Sequence, residues 1–177
     1  MLETDSEIYP AMLSLDNKNY ILLLESGKLK IHGSGLKGKH MPIVCDLFRD
    51  VLCHAIFSKT DLINIFKRFR DLSKFSITDF QVRIYPSKVD YKQNTLYRKL
   101  LKQLASAGYP VVAGSGMEYV KTTSNYKPVM LFSKQDQIDT AYYKKRLAKI
   151  ASRILRKPAK ALLEWFNEGA TTLGDFN

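Results

Sequence analysis

Residues 7–39 read EIYPAMLSLDNKNYILLLESGKLKIHGSGLKGK, and their alternation of apolar runs with polar turns decides the fold class. Ile8 to Leu15 and Tyr20 to Glu25 are β-rich runs on either side of Asp16-Asn17-Lys18-Asn19, a spacing that predicts a hairpin. Glu25-Ser26-Gly27 makes the next turn, and Lys28-Leu29-Lys30-Ile31-His32 alternates as a third strand. A glycine-containing connection, GSGLKGKH, then leads to Pro42, a residue suited to the first turn of a helix.

Beyond Pro42 the apolar period lengthens to that of a helix. Ile43, Val44, Leu47, Phe48, Val51, Leu52, Ala55 and Ile56 predict one helix ending near Ser58. Ser58 and Asp61 resemble a capping box for the next, which buries Leu62, Ile65, Phe66, Phe69 and Leu72 and exposes Lys67, Arg68, Arg70 and Lys74. Ser76 to Tyr85 reads as extended, Thr95 to Ala107 as an amphipathic helix stopped by Gly108. Val111-Val112-Ala113 and Met117 to Val120 flank Gly114-Ser115-Gly116 as an expected hairpin, with Pro128 to Phe132 as a further strand. Asp139 to Lys157 is the strongest helix pattern, Pro158 restarts a shorter one through Phe166, and the tail from Gly169 is expected to be loose. A small antiparallel sheet followed by a mostly helical body with a short β-hairpin is an α+β fold.

Charge gives the first functional signal. The 177 residues carry a net +11, enough to suggest a polyanionic partner. Residues 1–27 hold five acidic side chains and one basic, a net −4, whereas residues 28–177 hold 27 basic and 12 acidic, a net +15. Tyr142 to Lys160 carries eight Lys or Arg and no acid. On the long helix Lys145, Lys149, Arg153 and Arg156 form a stripe beside the apolar face of Tyr143, Leu147, Ile150 and Ile154. Such a stripe can track phosphates, and a solvated helix face has the same look.

Several chemistries are excluded. Gly33-Ser34-Gly35-Leu36-Lys37-Gly38 matches GxGxxG, but Lys39-His40-Met41-Pro42 separates it from the next helix, so a basic turn is expected instead of a dinucleotide site. His32, His40, His54, Cys45 and Cys53 have no zinc spacing, and no nucleophile–base set is legible. The cysteines, eight apart on one helix, are expected to be buried thiols. No apolar run approaches a bilayer's thickness, and MLETDSEIYP lacks the character of a secretion signal, so neither a membrane partner nor secretion is expected.

The segment 7–39 also resembles the end of the palm in family B DNA polymerases, where a strand leads to a KKxY motif, an apolar strand, an acid-Gly turn and a basic strand entering the thumb. Asn17-Lys18-Asn19-Tyr20 occupies KKxY: Lys18 and Tyr20 match, and Asn17 replaces the first lysine. Asn94 to Val120 resembles a thumb helix followed by a "V..G..I.YV" segment, and Asp139 to Leu155 a late "D..YY" helix. Glu3-Thr4-Asp5-Ser6 is similar to the family's metal-binding DTDS, but Glu3 stands in place of its first Asp and no second carboxylate is paired with it.

The resemblance implies residues 1–41 as palm end and 42–177 as thumb. It implies primer–template DNA and the remainder of a polymerase (palm, fingers and exonuclease domains) as partners. Lys18 and Tyr20 would lie near the minor groove at the primer end, while Lys28, Lys30, Lys37, Lys39, Lys145, Lys149 and Arg153 would neutralise phosphates. No catalytic residue and no cofactor is expected in the chain itself; Mg²⁺ is implied for an intact polymerase. The expected location is cytoplasmic or nucleoid-associated, or nuclear in a eukaryotic or viral setting. The rival is a freestanding basic nucleic-acid-binding or adaptor protein. On the polymerase reading, the net +15 of residues 28–177 predicts weak binding to duplex DNA with little sequence preference and an affinity that falls steeply with salt. Titration at several salt concentrations checks this; binding that ignores salt, or that prefers one sequence by a large factor, would argue for the rival.

Overall fold

A computed structural model describes residues 9–33, 36–38, 40–85, 95–112 and 114–168. Lys39, Ala113, the Glu3–Ser6 run and the tail from Gly169 lie outside the described residues. The fold is α+β, with two three-stranded antiparallel sheets and six α-helices among the described residues. The chain divides into two compact units. The first is Met1–Gly38, Leu47–Asp71 and Lys145–Asn177; the second is Lys39–Asp46 and Leu72–Lys144.

In the first unit β1 (Ala11–Ser14), β2 (Tyr20–Leu23) and β3 (Leu29–His32) form a meander in the order β1-β2-β3. Leu13, Ile21 and Ile31 stand opposite one another, and Ile21 and Ile31 are buried. Because side chains alternate along a strand, Tyr20, Lys30 and His32 share the other face with Met12 and Ser14. The helices of this unit converge on aromatic rings. Phe48 of α1 (Ile43–Ser58) meets Phe66 and Phe69 of α2 (Leu62–Arg70) edge-on, with centroids 5.8 and 5.0 Å away. Phe166 of the last helix, Ala159–Glu168, completes the cluster at 5.5 Å from Phe48. Leu36 is also fully buried, and the Arg49 guanidinium donates to its carbonyl at 3.0 Å. Leu36 thus anchors the connection expected to be a mere basic turn.

The second unit contains α3 (Ile77–Phe80), β4 (Val82–Ile84), α4 (Leu96–Ser106), β5 (Met117–Lys121) and β6 (Tyr126–Pro128). Its sheet runs β4-β5-β6, and Val82, Ile84, Tyr97, Leu100 and Tyr119 make its core. Gln103 of α4 donates to the Tyr126 carbonyl at 3.0 Å, and the Tyr97 hydroxyl donates to the Ser115 carbonyl at 2.9 Å. Helix α5 (Thr140–Leu155) begins where the Asp139 carboxylate accepts the Tyr142 N–H at 2.9 Å. The last helix, Ala159–Glu168, is α6 and belongs to the first unit.

Four details of the sequence reading change. Ser58 stays inside α1; Lys59 turns the chain at φ 53°, and Asp61 alone caps α2, accepting from Ile63 N at 2.8 Å. Ser76 to Tyr85 is not extended throughout, because the Asp79 carboxylate accepts the Ser76 N–H at 2.8 Å and winds residues 77–80 into α3. Val111 and Val112 stay outside the sheet; the short hairpin instead joins β5 to β6. Beyond Pro128 the chain turns into the 3₁₀ segment Val129–Leu131 instead of continuing as a strand.

Tyr143 holds the second unit's parts together. Its ring is buried against Phe80, its hydroxyl donates to the Phe80 carbonyl at 2.9 Å, and it accepts the Lys121 N–H at 2.9 Å. Burial pushes the phenol's pKa upward, so it keeps its proton and remains a donor. Tyr143→Phe should lower stability by about 1–3 kcal/mol, leaving two backbone groups unpaired in a dry site. Denaturant unfolding measures this; an unchanged midpoint would refute it.

Candidate nucleic-acid interface

The turn between β1 and β2 is ordered by its own polar groups. The Asp16 carboxylate accepts the Lys18 N–H at 2.8 Å, the Asn19 N–H at 2.9 Å and the Asn19 side-chain amide. The Leu15 N–H closes the loop on the Asn19 carbonyl at 2.9 Å. These bonds, led by the one from Lys18 N–H, hold the Asp16 pKa below its usual value, so the acid stays ionised. Lys18 is exposed at this turn. Beside it, Gly33 has φ 98°, and a Cβ at that position would overlap the Asn19 side chain and come within 2.6 Å of the Lys18 carbonyl. Only glycine allows the end of β3 to approach the turn so closely.

Tyr20 is half-buried, its ring stacked on His32 across the β2–β3 pair with centroids 4.4 Å apart and planes 13° apart. On the same face Lys30 donates to the Tyr9 hydroxyl at 3.0 Å, its ammonium 5.5 Å from that ring's centroid. Lys28 and Lys37 are exposed, and Lys39 lies outside the described residues. Lys145, Lys149 and Arg153 are exposed on α5, while Tyr143, Leu147, Ile150 and Ile154 are buried. Arg156 does not belong to that helical stripe: α5 ends at Leu155, and Arg156 has φ 54°. The structure therefore brings Tyr20 and Lys30 to one sheet face, with Lys18 at the turn leading into it. Lys145, Lys149 and Arg153 occupy a separate helix.

Other cations serve the fold. Lys127 pairs with Asp136 at 2.6 Å, holding that carboxyl down at about 2, and Lys121 lies 3.6 Å from Asp139. Arg49 pairs with Asp50 at 2.8 Å. Both cysteines are buried thiols, and burial pushes Cys53 up to about 12, so it is not a nucleophile at neutral pH. Among the described residues no three His, Cys, Asp or Glu side chains converge as a metal site. No helix there is long and apolar enough to cross a membrane. The second unit carries a cavity of about 410 Å³ whose walls include Leu104, Val111, Met117 and Met130, with Arg83 and Glu118 of opposite charge. Its chemistry does not favour a polyanion, and none of the sequence-derived residues lines it.

Sequence reasoning missed His32, the Asn19–Gly33 approach and Arg49. Asp16 and Asn19, three apart in a predicted turn, were the available signal for the first lock; nothing local announces Arg49.

No protein-family model matches the chain, and no curated protein matches it. Among solved structures it is similar to that of the family B DNA polymerase from the hyperthermophilic archaeon Pyrobaculum calidifontis, with a TM-score of 0.64 and 18% identity. The likeness is one of fold. It covers 84% of this chain and 22% of that one, so the chain spans less than a quarter of the polymerase it matches.

Gly33→Ala tests the lock at the turn. The methyl group cannot fit without displacing Asn19 and the Lys18 carbonyl, and φ 98° is strained for any L side chain. A loss of about 1–3 kcal/mol is expected, together with shifted amide resonances at residues 16–19. A fully stable variant with an unmoved turn would contradict the close approach.

Proposed function

We propose that this chain grips primer–template duplex, without reading its sequence, as part of a family B DNA polymerase. The observation that carries the reading is the fold likeness over 84% of the chain, coupled to a hairpin turn that displays Lys18. Residues 1–41 then serve as the palm end and 42–177 as the thumb. Lys18 donates to the minor-groove acceptors that every base pair offers, checking pair geometry without distinguishing sequence. Tyr20, fixed by its stack on His32, lies beside it. Lys28, Lys30, Lys37 and Lys39 neutralise phosphates from the sheet and connection, and Lys145, Lys149 and Arg153 do so from α5.

Nucleotidyl transfer belongs, on this reading, to the palm and fingers of the remainder of the polymerase. The magnesium ions of that reaction would be held by that remainder; in this chain Asp16, Asp136 and Asp139 already hold N–H donors or ammonium groups.

The test deletes the acceptor from the DNA. A primer–template with adenine in the pairs behind the primer terminus is compared with one carrying 3-deazaadenine, which lacks the minor-groove N3. The wild-type chain should bind the deaza duplex about fivefold or more weakly, as expected for one charge-assisted hydrogen bond. Lys18→Ala should bind both equally. Lys145→Ala should weaken both alike and reduce the salt slope by about one. Equal responses from the two variants would favour the freestanding basic nucleic-acid-binding protein and sink the assignment of Lys18.

A further inference from the structure

The β1–β2 turn is held from outside the sheet by one residue distant in sequence. The Arg156 guanidinium donates to the Ser14 carbonyl at 3.0 Å and to the Leu15 carbonyl at 3.1 Å. Ser14 ends β1, and Leu15 opens the loop that carries Lys18. A single planar group thus grips the backbone on the strand side, while the Asn19–Gly33 approach fixes the other side. Arginine suits this task because its donors are fixed in a plane and its charge is never lost.

The base of Arg156 is itself held. Helix α5 stops at Leu155, and Arg156 adopts φ 54°, a conformation usually given to glycine at the end of a helix. The Ser152 hydroxyl donates to the Lys157 carbonyl at 2.6 Å, fixing the Lys157–Pro158 peptide one residue beyond Arg156. The Lys157 ammonium lies 5.9 Å from the centre of the Trp165 ring, and Pro158 leads directly into α6. Arg156 therefore leaves the helical spacing of Lys145, Lys149 and Arg153.

We propose that Arg156 is a positioning residue: the α5–α6 junction sets the backbone of the Lys18 turn, and through it the reach of Lys18 into the minor groove. The last clause rests on the function proposed above; the hold on the turn does not.

Arg156→Gly is the informative variant, because glycine accepts φ 54° and removes the guanidinium without straining the junction. Two readouts are needed. Hydrogen exchange at the Leu15, Asp16 and Asn19 amides should quicken by about threefold to tenfold in Arg156→Gly while other amides of the first unit keep their rates. The adenine-to-deazaadenine ratio should fall from about fivefold to near one, as in Lys18→Ala, for a bond lost through misplacement. Arg156→Lys, which keeps the charge without the planar fork, should restore neither fully. Lys67→Ala, a charge-matched change on α2, should leave the ratio as in wild type. Unchanged exchange at the turn in Arg156→Gly overturns the positioning role whatever the DNA result. Quickened exchange with a wild-type ratio overturns its extension to Lys18. A wild-type chain indifferent to the deaza substitution overturns the reading of Lys18 itself.

Discussion

The edge-on packing of Phe48 against Phe66, Phe69 and Phe166 is the contact on which the first unit depends. The neighbouring helices α1 and α2 and the distant α6 meet around these rings, and each ring of this size contributes about 1.5–3 kcal/mol by leaving water. Edge-to-face geometry adds direction to that burial, since the positive rim of one ring seeks the negative face of another. With the helices fixed this way, α2 can present Lys67, Arg68 and Arg70 to solvent at no cost to the core. A surface as basic as this one is compatible with folding because the apolar contacts are concentrated, not spread.

Legibility in the sequence followed the range of the interactions involved. The meander of residues 11–32 and helices α1, α2, α4, α5 and α6 were readable because period and turn residues are local signals. The misreadings occurred where a distant partner decides. Met117–Lys121 pairs with Val82–Ile84, more than thirty residues earlier, which a hairpin drawn around Gly114-Ser115-Gly116 could not anticipate. Val111 and Val112 have the composition of a strand but no partner strand in the sheet. Ser76 to Phe80 has a mixed pattern, and one carboxylate–backbone bond from Asp79 tips it to helix.

The candidate site divides in the same way. That Lys18 would sit on a turn was readable from Asp16-Asn17-Lys18-Asn19. That Tyr20 would be occupied by His32 follows from strand register, and a shift of one residue would have sent the two rings to opposite faces. Arg156 was indistinguishable from its neighbours at helical spacing until the helix was seen to stop one residue before it. Charge counting treats Lys145 and Arg156 as equals; hydrogen-bond geometry separates them.

The turn and the helix also differ in the kind of grip each can exert. In the turn, Asp16 remains ionised because its oxygens hold N–H donors, so its negative charge stays beside Lys18 at neutral pH. Opposite charges on one turn largely offset each other at a phosphate a Debye length away. Such a turn gains little from a polyanion at long range. Its advantage lies at contact, where an ammonium on a braced backbone can donate to a neutral acceptor whose position is fixed. The α5 stripe differs: the sequence holds no acid from Tyr142 to Lys160, and Lys145, Lys149 and Arg153 are exposed on the helix. Long side chains on a solvated helix face adapt to many phosphate positions and specify none. On the function proposed above, the helix would supply affinity and salt dependence together with Lys28, Lys30, Lys37 and Lys39, and the turn would supply discrimination of pair geometry.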